Sequence, residues 1–252
     1  MSQVVDEKED IDSYVAQIVH SSLYTIVIEG KDDRLVYNEF EKIYDDLNCF
    51  VDVLPVGGRN TALGIFDKLK NTPHIERTIF IVDQDEWIIK GKNPAYIHDR
   101  IICTHGYSFE NDIFIDGNLE NDMQTKNPTV FNDELPIVLK WYALEMSRIL
   151  SSRPTANLNM HIENLFNQAS IYTVPQSGEI FPTPLFSRLQ SEYHHLLRGK
   201  TLLQFYLRVM NSRPDYNRGH TVISTIENVC KHKGNCLNRI FQEVDNLIKL
   251  SY

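Results

Sequence analysis

Thr78-Ile79-Phe80-Ile81-Val82-Asp83-Gln84-Asp85-Glu86 is an apolar, β-branched run that stops abruptly at acids. An earlier stretch, Thr25-Ile26-Val27-Ile28-Glu29-Gly30-Lys31-Asp32-Asp33, has the same grammar. A strand covered by helices on both faces reads as continuous Val, Ile and Phe, which predicts a parallel sheet. Acids at the carboxyl ends of such strands fall where open α/β sheets bind ligands. On a strand, Asp83 and Asp85 are two apart and project to the same side. Glu29 closes the other strand and Asp33 lies a turn beyond it. Carboxylates gathered in one crevice repel each other unless a cation sits among them. An all-oxygen set suits Mg²⁺ or Mn²⁺ rather than zinc.

Between these runs, Val36, Phe40, Ile43, Tyr44 and Leu47 have helical spacing. Phe50 to Leu54 reads as a second strand, and Val56-Gly57-Gly58-Arg59-Asn60-Thr61 turns the chain into a helix ending near Lys70. Val4, Val5, Ile11, Val15, Ile18 and Val19 suggest a leading helix. Trp87 to Tyr96 reads as a loop and Arg100 to Thr104 as a fourth strand, with Ser108 capping a helix from Phe109. This β-α-β-α-β order with short links predicts right-handed crossovers in a parallel sheet.

The 252 residues carry a formal net charge of −9, which counts against a general nucleic-acid binder. It is compatible with a nuclease, whose metal site is itself acidic. The chain contains no run of 18 apolar residues, so no membrane span is expected. Its acidic opening argues against a secretory leader, and its 4 scattered cysteines argue for a cytoplasmic setting. After Gly117 the composition turns polar and proline-punctuated. The expected division is an α/β catalytic domain over 1–117, a linker over 118–132 and an α-helical domain over 133–252.

Gly57 and Gly58 at a helix start can offer backbone N–H groups to a substrate phosphate, with Arg59 adding a bidentate contact. An ordinary turn explains them equally well. Cys230, His232 and Cys236 lack the fourth ligand of a structural zinc site and read as helix. His194-His195 reads as a surface pair, and Phe205 and Tyr206 as core.

The segments Ile28-Glu29-Gly30-Lys31-Asp32-Asp33 and Val82-Asp83-Gln84-Asp85 resemble the TOPRIM domain of topoisomerases, primases and OLD-type nucleases. Thr104-His105-Gly106-Tyr107-Ser108-Phe109-Glu110-Asn111 resembles the TOPRIM-like family that includes the effector nuclease of PARIS-type anti-phage systems. The likeness covers residues 20 to about 115 well and the remainder loosely. It implies metal-dependent cleavage of RNA, such as tRNA, or of DNA. Glu29, Asp33, Asp83, Asp85 and Glu110 would then be metal residues, with Glu29 and Asp83 catalytic and Lys200 stabilising transition-state charge. It also implies an ABC- or AAA-type ATPase partner, and a homodimer is expected. Nucleotidyl transfer and a non-catalytic binding module remain as alternatives.

Overall fold

The computed structural model describes residues 7–47, 49–154, 156–212 and 220–249, with side chains from Ile11 onward. Val4 and Val5 therefore lie outside the described residues. The chain divides into two compact units, Met1–Thr104 with Cys230–Tyr252, and His105–Val229.

The first unit holds α1 (Glu7–His20), β1 (Tyr24–Ile28), α2 (Arg34–Tyr37), α3 (Glu39–Asp45), β2 (Val51–Pro55), α4 (Arg59–Leu69), β3 (Thr78–Val82), the single turn α5 (Trp87–Lys90) and β4 (Ile101–Cys103). All four strands are parallel in the order β2-β1-β3-β4. Ile26 pairs with Val53 on one side and Ile79 on the other, and Ile81 pairs with Ile102. Every residue of β3 is buried, as are Thr25 to Ile28 of β1. Burial on both faces is what the uninterrupted apolar runs predict.

Alternation assigns the faces. Val27, Leu54, Phe80, Val82 and Ile101 join a core with Ala62, Ile65 and Phe66 of α4, against which Ile11 and Val15 of α1 pack. A Cβ on Gly64 would stand 2.7 Å from Ile11 Cδ1, so the two helices meet there at close range. On the opposite side, Phe40 of α3 stacks on Phe241 with ring centroids 4.2 Å apart.

Phe241 belongs to α14 (Asn235–Lys249), which the expected division placed in a separate helical domain. Instead it completes the α/β unit. Arg239 donates to the Cys103 carbonyl at 2.6 Å, Lys233 pairs with Glu39 at 2.7 Å, and Tyr44 donates to Asp245. Buried Leu237, Ile240, Val244 and Ile248 form its apolar stripe.

The second unit is helical: α6 (Phe109–Asp116), α7 (Leu119–Lys126), α8 (Pro128–Leu150), α9 (Ile162–Asn167), α10 (Ala169–Tyr172), α11 (Thr183–Leu196), α12 (Gly199–Asn211) and α13 (Val222–Cys230). The 118–132 stretch, expected as linker, is α7 and the first turn of α8. Pro128 opens α8 at a position where its missing N–H costs nothing. Trp141 and Tyr142 of α8 are fully buried, as is Phe205 of α12, and Tyr206 is buried beside it. Arg148 is buried between Glu145 (2.5 Å) and Glu179 (2.7 Å), a closed ionic cluster that fastens the loop before α11. Among the described residues no helix is long and apolar enough to cross a membrane.

Candidate functional site

At the carboxyl edge of the sheet, two strand ends are joined through a side chain. Glu29 follows β1, Asp83 follows β3, and the Asp83 N–H donates to Glu29 Oε1 at 2.8 Å. The Glu29 carbonyl accepts from the N–H of Gly57 at 2.8 Å, which ties the glycine turn to the same point. Asp33, at the start of α2, is buried and accepts from the Gly30 N–H at 2.9 Å.

β3 ends at Val82, so strand alternation does not carry through to Asp85. Asp85 sits in the left-handed region at φ 46°, which Asp tolerates better than most residues. That conformation turns its carboxylate toward Arg59, with Nη1 to Oδ2 at 3.3 Å. Asp83 and Asp85 are therefore placed by a turn and not by the pleat.

Arg59 is the hub of this turn. It donates to the Gln84 carbonyl at 2.7 Å, to both oxygens of Glu86 at 3.0 and 3.1 Å, and lies 4.5 Å over the Trp87 ring. Gln84 is held in turn by Thr104, whose Oγ1 accepts from its N–H and whose carbonyl accepts from its side-chain amide. The sequence reading missed Gln84, Glu86, Trp87 and Thr104, although Glu86 and Trp87 directly follow the acid run. Gly57 and Gly58 have φ of 88° and 142°, which only glycine adopts cheaply, and Gly58 caps α4. In this arrangement the Gly57 N–H and the Arg59 fork, expected to meet a phosphate, have partners within the chain.

Burial pushes the Glu29 carboxyl up to about 8. The Asp83 N–H opposes that shift, Asp85 and Asp33 add to it, and Arg59 counters it. Burial would lower the Arg59 guanidinium, but Asp85, Glu86 and Glu29 hold it up. Among the described residues no three His, Cys, Asp or Glu side chains converge closely enough to ligate one ion. The donor chemistry nevertheless fits Mg²⁺ or Mn²⁺, since Glu29, Asp33, Asp83 and Asp85 offer oxygen donors only.

Glu110 and Lys200 belong to the second unit, where they act on one another. Glu110 is buried in the first turn of α6 and accepts from Ser108 Oγ at 2.5 Å. Burial raises its carboxyl, and the charges of Lys200 and Arg198 pull it back. Ser108 and Asn111 form a capping box, and the Asn111 amide donates to the carbonyls of His194 and Leu197. Buried Asp112 accepts from the N–H groups of His105 and Gly106. The histidine pair is not a surface feature. Both rings are half-buried, the His195 carbonyl accepts from the Tyr107 N–H, and burial pushes the His195 ring down to about 4. Gly199 closes this arrangement, since a Cβ there would lie 2.1 Å from Ser108 Oγ and 2.8 Å from Glu110 Oε2.

No protein-family model matches the chain, and no curated protein does either.

Proposed function

We propose that the chain is a divalent-metal-dependent nuclease that hydrolyses phosphodiesters of RNA, such as tRNA, or of DNA at the Glu29–Asp83–Asp85 crevice. The observation that carries this reading is the contact of Glu29 with the Asp83 backbone, which brings acids 54 residues apart to one sheet edge. Glu29, Asp83 and Asp85 would hold Mg²⁺ or Mn²⁺, with Asp33 lending charge. When bound, the ion activates water and offsets charge on the phosphoryl oxygens. Glu29, with its proton affinity near neutral, is suited to accept or return a proton. Glu110 and Lys200 enter the reading only through the family resemblance. The same is true of a role as toxic anti-phage effector and of an ATPase partner; a homodimer is expected only by analogy with such effectors.

The test incubates the chain with Mg²⁺ and tRNA, single-stranded RNA or duplex DNA, beside Glu29→Ala and Asp83→Ala. Cleavage by the wild type, lost by at least about a hundredfold in both variants, is the expected outcome. Intact substrates in every lane, with and without a candidate ATPase, would end the nuclease reading. A non-catalytic module is the second reading, favoured by the fact that Arg59 already answers the carboxylates. Mn²⁺ calorimetry separates the two, since a module of that kind binds no ion that Asp83→Asn can release.

A further inference from the structure

We infer that Arg59 is a displaceable internal counter-ion, holding through its contact with Asp85 the place that a divalent cation would take beside that carboxylate. The inference rests on the metal reading above and adds an order of events to it.

Three contacts hold the guanidinium over the turn: the Gln84 carbonyl, the Glu86 carboxylate and the Trp87 face. The fourth, to Asp85, is the longest of the polar contacts at 3.3 Å. The Asp85 carboxylate is 31% exposed, whereas the Arg59 side chain is 13% exposed. Of the three polar partners, Asp85 is therefore the most distant and its carboxylate the most open to solvent. A dication arriving there meets a like charge and an engaged ligand. It binds only as Arg59 gives up Asp85 and shifts over the Trp87 ring. Glu86 is the tether that keeps the arginine nearby, because its two bonds do not involve the metal ligands.

Two readouts independent of activity test this. Calorimetry with Mg²⁺ compares the wild type with Arg59→Gln and Arg59→Lys. With the competing charge removed, Arg59→Gln is expected to bind about tenfold tighter, and Arg59→Lys by less. In parallel, Mg²⁺ titration should change the emission of Trp87 as the overlying cation moves. That signal should vanish in Trp87→Phe, where only buried Trp141 still emits. Equal or weaker binding by Arg59→Gln overturns the inference and leaves the metal site standing. No binding by any form overturns the metal reading and this inference with it. Should Arg59→Gln not fold, the wild-type emission decides: a metal that binds without moving Trp87 emission refutes displacement.

Discussion

Glu29 shows how a fold tunes a single side chain. Its carboxyl is raised chiefly by loss of water, then by Asp85 and Asp33, to about 8. The unfolded chain releases that proton near pH 4.5, so between about 4.5 and 8 the folded state binds more protons than the unfolded one. Stability attributable to this group is present at low pH and is lost as pH rises through 8. Urea unfolding of the metal-free chain should therefore show a downward slope from pH 5 to 8 that Glu29→Gln lacks. A flat difference between the two proteins across that range would refute the assignment. The acids at the strand ends were legible because a buried strand cannot continue into Asp and Glu. The turn at Asp85 was not, since a left-handed residue leaves no periodic trace. Nor was the engagement of Arg59, which depends on partners 25 and 27 residues away.

Helices and strands differ in how plainly they announce themselves. The strands that end at Val82 and Ile28 are legible in their β-branched runs, and the helix after Ser108 in its capping chemistry. Short pieces such as α5 and the 3₁₀ turn Pro94–Tyr96 span too few residues to show a period. Asn and Pro around Asn127-Pro128 were mistaken for linker because proline both ends helices and begins them. The start of α12 gives a test at this scale. Gly199→Ala drives a methyl into Ser108 and Glu110 and should cost about 1–3 kcal/mol. Gly64→Ala meets only the tip of the Ile11 side chain, which can rotate, and should cost less than about 1 kcal/mol. Thermal melts of the two variants should rank in that order; the reverse would mean that α12 is not held against the first turn of α6.

At the scale of the molecule, the helical unit interrupts the α/β unit, leaving after Thr104 and returning at Cys230. An amphipathic stripe in α14 told of burial but not of its partner. Deleting Asn235–Lys249 removes five buried apolar side chains from that unit. At roughly 1.5–3 kcal/mol each, this loss matches the whole stability of an ordinary domain. Circular dichroism of the truncated chain should show loss of cooperative melting of the α/β unit; a melt unchanged from the full chain would show that α14 is dispensable.

The hydrogen bond from Arg239 to the Cys103 carbonyl joins residues 136 apart. At ribosomal speeds of 5–20 residues per second, roughly 7 to 27 s pass between translation of one partner and the other. During that interval the nascent sheet lacks its last cover and the helical insert has time to form alone. A crevice built on such a sheet matures late, so the newborn polypeptide passes through a window in which its acids are made but not yet firmly seated.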